Sequence, residues 1–132
     1  PALHQQFTGV SNEQILQNLE HIRKFSQSQP RPMPVWIRTP LIPGATASDD
    51  NLAAIGGYLA AHLDGAISRW ELCAFNNLCR DQYTRLGLEW AYAKTALMSR
   101  GELEHCEQVA RSSGFHPELV FATGATRLDD PI

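Results

Sequence analysis

The sequence predicts an α/β fold of about three mainly parallel strands with flanking helices. Three observations carry this. Short β-rich apolar runs are separated by segments whose apolar residues recur at helical spacing. The helical segments bring their own capping signals. The resulting order is helix, strand, helix, strand, minor helix, helix, strand, and such alternation gives parallel strands joined by right-handed crossovers.

Residues Pro1 to Gly9 read as an extended lead-in. Ser11 with Gln14 forms a candidate capping box, and Val10 with Ile15 a hydrophobic staple over the same helix start. Ile15, Leu16, Leu19 and Ile22 make one apolar face, and the helix is expected to end near Phe25. Ser26 to Pro34 is a Ser/Gln/Pro-rich loop leading straight into the first strand.

That strand lies in Pro34-Val35-Trp36-Ile37-Arg38-Thr39-Pro40-Leu41-Ile42-Pro43-Gly44, an apolar run with one charge and a Pro-Gly stop. It reads as a buried strand of a parallel sheet. A buried arginine must find an anionic partner or reach water. Arg38 is therefore the first candidate site residue, because ligands of α/β folds gather at the C-terminal ends of strands.

Ser48 caps a second helix with Asp49 and Asp50 in its first turn, where acids complement the helix dipole. Leu52, Ile55, Leu59 and Leu63 are its buried stripe, Gly56-Gly57 permits close packing, and Gly65 closes it. Ile67 to Phe75 is the second strand, with Asn76-Asn77 at its C-terminal end. Leu78 to Leu86 is a short helix closed by Gly87, and Leu88 to Leu97 is loop with helical turns. Ser99 and Glu102 form another capping box, with Met98 and Leu103 as its staple. That helix buries Leu103, Cys106, Val109 and Ala110 and stops at Gly114. Glu118 to Thr123 is the last strand. Residues 1–123 thus make one unit, and 124–132 read as a flexible tail.

The chain has 132 residues, enough for a usable core but well below the roughly 250 of a complete eight-fold barrel. A formal net charge of -3 argues against a protein that holds nucleic acid through its global field. No apolar run approaches a membrane span, and no secretory signal opens the sequence. Cys73, Cys79 and Cys106 are odd in number and widely spaced, which fits a reducing, cytoplasmic setting and matches no metal-ligand spacing. A start at Pro1 fits either removal of an initiator methionine or a piece of a longer protein. Three strands with helices on one face leave the other face uncovered, whereas parallel sheets are almost always covered on both. The pattern is that of the back part of a larger α/β fold.

At Thr8-Gly9-Val10-Ser11-Asn12-Glu13-Gln14-Ile15-Leu16-Gln17-Asn18-Leu19 and at Val35 to Gly44, the chain resembles the C-terminal half of the glycyl-radical-enzyme activating enzymes. These are radical S-adenosylmethionine enzymes of the pyruvate formate-lyase activating type. Glu71-Leu72-Cys73-Ala74-Phe75-Asn76-Asn77-Leu78 and Tyr83-x-x-Leu86-Gly87 continue the match. The resemblance implies an incomplete (β/α) barrel with the cofactor at the strands' C-terminal ends. It implies S-adenosylmethionine and a 4Fe-4S cluster as cofactors of the full-length protein, a radical that takes hydrogen from a glycine, and a glycyl radical enzyme as protein partner. The family's strand arginine falls on Arg38, whose planar pair of donors suits a carboxylate; a structural salt bridge is the other reading. The family's cofactor-contacting histidine falls on Asn76, and its proline on Ala74; a turn-forming Asn76-Asn77 is the alternative. Leu41, with Ile42 and Pro43, is placed either as an apolar wall by the adenine or as ordinary core.

The family's Cys-x-x-x-Cys-x-x-Cys, Gly-Gly-Glu and Asp-Leu-Lys segments do not occur in this sequence. The resemblance therefore implies a segment with no metal site and no catalytic residue of its own, inactive alone, whose partners include the remainder of its barrel. Leu88 to Arg100 departs most from the family pattern and is a candidate for partner preference. A reading of a different class is a stand-alone α/β interaction module that covers its bare sheet face with a partner or a second copy. The histidines, His4, His21, His62, His105 and His116, lack paired ligand spacing and read as surface or satisfied residues.

Overall fold

The computed structural model describes residues 1–128. Three strands, β1 (Val35–Leu41), β2 (Ile67–Ala74) and β3 (Val120–Thr123), form one parallel sheet in the order β1-β2-β3. Helices α1 (Ala2–Thr8) and α2 (Glu13–Ser28) precede β1. Helix α3 (Asp49–His62) joins β1 to β2, and α4 (Arg80–Arg85) and α5 (Arg100–Arg111) lie between β2 and β3. The α/β architecture with a three-stranded parallel sheet is as the sequence predicts.

Both crossovers step across the sheet in the same direction. With the common right-handed connection this places α3 and α5 on one face, where they pack on each other. That face holds the core. Thr39, Leu41, Trp70, Leu72, Ala74 and Val120 meet Leu52, Leu59 and Leu63 from the α3 side and Leu103, Cys106 and Ala110 from α5. Trp70 is fully buried at the centre. Its indole Nε1 donates to Thr39 Oγ1 at 3.0 Å, so the one polar atom of the ring is satisfied across β1 and β2.

The helix signals hold for α3 and α5. Ser48 Oγ accepts from the Asn51 amide, and Ser99 with Glu102 completes a reciprocal capping box. The Ser99 amide holds the Glu102 carboxyl below the usual carboxylate range.

The N-terminal expectations need correction. Residues 2–8 are helical, not extended, and end at Gly9 in the left-handed conformation (φ 76). Nothing in α1 is buried, so no apolar periodicity announces it. Helix α2 starts at Glu13 with Asn12 as N-cap and no side-chain cap bond. Ser11 Oγ instead accepts from the Glu13 amide, and Gln14 turns to Asn18. Val10 and Ile15 are both exposed, so no staple is buried there. The helix runs three residues past Phe25, and of its expected apolar face Leu19 packs against the core while Ile15 and Ile22 stay exposed. At the other end, Glu118 belongs to a 3-10 turn (Pro117–Leu119), and β3 begins at Val120. The start of the expected tail is tied down, since the Arg127 amide donates to the Met98 carbonyl at 2.9 Å. Residues 129–132 of that tail lie outside the described residues.

Gly56 is where α3 packs tightly against Ser113, just past α5, and against the Trp70 ring. A Cβ there would stand 1.7 Å from Ser113 Oγ and 3.1 Å from a Trp70 ring carbon, whereas one at Gly57 meets open space. Gly56→Ala is expected to cost about 1–3 kcal/mol by overpacking. Gly57→Ala should gain up to about 1 kcal/mol from helix propensity. Denaturant unfolding of the two variants side by side checks both signs.

His116 ties the α5–β3 connection to the α3–β2 connection, with Nε2 2.8 Å from Asp64 Oδ1 and Nδ1 3.4 Å from Glu118 Oε1. The Asp64 hydrogen bond leads in raising its pKa. A raised imidazole contributes stability that is full below its unfolded value and is lost as pH rises through the folded one. The wild-type advantage over Asp64→Asn should be largest near about pH 6 and shrink toward about pH 8. An advantage that does not vary with pH across that window would exclude the linkage.

Candidate functional site on the open face of the sheet

Alternation along the strands sends every second side chain to the face without helices. Trp36, Arg38 and Pro40 from β1 meet Arg69, Glu71 and Cys73 from β2, and Phe121 and Thr123 from β3 complete the surface. Trp36, Arg38 and Pro40 are exposed. The expectation that β1 is a buried strand therefore holds for only one of its faces. The physical reason is the one-sided placement of the crossover helices.

Arg38 meets both conditions set for a charge on this strand. Its Nε is 3.3 Å from Glu71 Oε2, and its side chain remains 65% exposed. Glu71 is the residue directly opposite on β2, and its side chain is only 10% exposed. Glu71 Oε1 accepts the Thr123 hydroxyl at 2.8 Å, and Oε2 also lies 3.7 Å from Arg69 Nε. One carboxylate therefore joins groups from all three strands.

Arg69 is held differently. Its guanidinium carbon sits 4.1 Å from the Phe121 ring centroid and 4.9 Å from that of Trp36. Guanidinium over aromatic faces is attractive, and here two rings shield it from water. Two arginines against one glutamate leave this surface with a formal charge of +1, presented at the exposed Arg38.

The other predicted residues fall elsewhere. Asn76 lies just past the end of β2, exposed, with Oδ1 accepting from the Leu78 amide at 3.2 Å. That bond closes a local side-chain-to-backbone turn after β2. Three of the five steps from Glu71 to Asn76 run along β2, roughly 10 Å at about 3.3 Å per residue. The fold thus sets Arg38 and Asn76 far apart along the strand direction. Leu41 is fully buried on the helix side of the sheet, as ordinary core would be; Ile42 is half-buried and Pro43 exposed. The turn after Leu41 is closed by Thr46, whose hydroxyl donates to the Pro40 carbonyl and accepts from the Ile42 amide. Gly44 adopts φ 74 within it.

Sequence reasoning passed over Arg69, Glu71, Thr123, Trp36 and Phe121 as site residues. Arg69 and Glu71 do stand two apart in a strand and so share a face, a readable signal. What pairs them with Arg38 and Thr123 is register, which the sequence does not print.

The three cysteines do not gather. Cys106 is buried in the core, where its thiol pKa is raised mainly by burial; Cys79 is exposed before α4; Cys73 lies on the open face. Among the described residues no group of three or more His, Cys, Asp or Glu is placed to hold a metal ion. These residues do not fit an iron–sulfur cluster. Among the described residues no helix is long and apolar enough to cross a membrane.

No protein-family model matches the chain. Individual proteins do. Over 120 residues it is 30% identical to the choline trimethylamine-lyase activating enzyme of Oleidesulfovibrio alaskensis, covering 90% of this chain and 37% of that protein. Over 110 residues it is 26% identical to the (2S)-3-sulfopropanediol dehydratase activating enzyme of Klebsiella oxytoca, covering 83% and 33%. The chain is a relative of the glycyl-radical-enzyme activating enzymes. The pyruvate formate-lyase-activating enzyme of Streptococcus mutans is 28% identical over 90 residues, covering 68% of this chain and 31% of that protein. The chain spans about a third of the length of these activating enzymes.

Proposed function

We propose that this chain is the cofactor-wall and partner-docking segment of a cytoplasmic glycyl-radical-enzyme activating enzyme, corresponding to the C-terminal part of its barrel. The observation that supports this best is Arg38: an exposed guanidinium on the open face of a parallel sheet, paired as an ion with Glu71 and with no hydrogen-bond partner for its Nη nitrogens among the described residues. Such a guanidinium suits the carboxylate of S-adenosylmethionine. Asn76, past the end of β2, has an amide nitrogen without a partner among the described residues and suits the ribose or adenine end. Leu41 supports this wall from beneath, with Ile42 and Pro43 nearer the surface.

When bound to a reduced 4Fe-4S cluster, S-adenosylmethionine would supply the radical that acts on a glycine of the partner enzyme. The residues of this chain would bind, orient and shield it. Cluster ligands would have to come from sequence outside this chain, which is expected to be inactive alone. Residues 1–123 would belong to the barrel, and the remainder of that barrel would cover the open face.

A second reading is a stand-alone α/β interaction module. Exposed Trp36 and Phe121 on the open face, and Ile15, Ile22 and Phe25 on α2, favour self-association.

The chain extended by an upstream Cys-x-x-x-Cys-x-x-Cys segment, expressed anaerobically with iron and sulfide, is expected to be brown and to cleave S-adenosylmethionine when reduced. A colourless, inert protein that self-associates would favour the interaction module. In the active protein, Arg38→Ala should weaken S-adenosylmethionine binding about tenfold to a hundredfold, the range of a lost charge-assisted hydrogen bond. Unchanged affinity would return Arg38 to a structural salt bridge.

A further inference from the structure

We infer that Glu71, anchored by Thr123, is the positioning residue that keeps the Arg38 guanidinium in place on the open face for a ligand carboxylate. The inference rests on the binding role proposed for Arg38.

Burial of a carboxylate is costly unless its oxygens are paired. Both oxygens of Glu71 are engaged, and by groups of different kinds. The Thr123 hydroxyl donates to Oε1 at 2.8 Å, and Oε2 faces the Nε of Arg38 at 3.3 Å. The Thr123 bond sets the rotation of the carboxylate, and the ion pair keeps the Arg38 guanidinium beside its other oxygen. The Arg38 side chain stays 65% exposed, so its Nη nitrogens remain accessible to a ligand. A guanidinium so placed can grip a carboxylate with two parallel hydrogen bonds.

Arg69 cannot take this role. Its guanidinium is stacked over Trp36 and Phe121, and its Nε is buried without a hydrogen-bond partner among the described residues. It lies on one flank of Glu71, 3.7 Å from Oε2, and its charge offsets that of the carboxylate. With Arg69 offsetting Glu71, the charge of Arg38 stays available to an outside anion. An exposed arginine without such an anchor would sample many rotamers and lose more freedom on binding.

The test uses both the chain itself and the extended protein. In the extended protein, Glu71→Gln should weaken S-adenosylmethionine about tenfold and leave the decarboxylated analogue, which has no carboxylate to grip, unchanged. In an Arg38→Ala background the same substitution should have no further effect. Thr123→Val, which keeps the charge and removes one anchor, should show the same selectivity at about threefold, and it serves if Glu71→Gln does not fold. Equal weakening of both ligands, or losses that add to that of Arg38→Ala, would reduce Glu71 to a structural role. If the wild-type extended protein binds no S-adenosylmethionine, the proposed function fails. The anchoring is then decided in the 132-residue chain by side-chain NMR. Rotation of the Arg38 guanidinium about its Nε–Cζ bond should be slow in the wild type and fast in Glu71→Gln; equal rates in the two would overturn the inference.

Discussion

A parallel strand pair can be joined only by a crossover, and successive crossovers of one hand that step in one direction put all their helices on one side. In this chain β1, β2 and β3 lie side by side in sequence order, so α3 and α5 share a face. The core is correspondingly one-sided. Trp70, Leu72 and Ala74 of β2 are sealed beneath the helices, and Gly56 lets α3 approach Trp70 closely. The doubly wound alternative needs a reversal in strand order to place helices on both faces, and no reversal occurs among these strands.

The same constraint creates the site. Side chains that leave the sheet on the bare side are released from the demand to be apolar, and there β1 and β2 carry Arg38, Arg69 and Glu71. Glu71 is nonetheless buried, and its cover comes from neighbouring side chains on that face, not from the core. Its pairing with Arg38 and Thr123 fastens β1, β2 and β3 together on the side the helices do not reach. Structural tie and ligand contact are therefore not competing readings of Arg38. The ion pair to Glu71 leaves the Arg38 side chain largely exposed.

Likeness to activating enzymes and this geometry bear on different questions. The relatives, matched over about a third of their length, say to what kind of protein such a segment belongs. The open face says which side chains such a segment brings. The cysteines of this chain lie in three separate environments.

By itself the sequence determined the elements whose signals are local and strong. Ser48, Ser99 and Glu102 fix the starts of α3 and α5 through hydrogen bonds within one helical turn. The β-rich runs around Trp36 and Trp70 fix β1 and β2, and the alternation of helix and strand fixes a parallel sheet. Signals failed where no burial backs them: α1 buries nothing, and the Ser11–Gln14 pattern has the letters of a capping box without its geometry. Only the tertiary structure decided which residues face one another. Register places Glu71 opposite Arg38, within reach of the Thr123 hydroxyl, and Arg69 over the rings of Trp36 and Phe121. It also sends Leu41 into the core and Arg38 into the open. Those choices depend on which strand edge pairs with which and on the face the crossovers cover, and both are set by contacts between residues more than 30 positions apart.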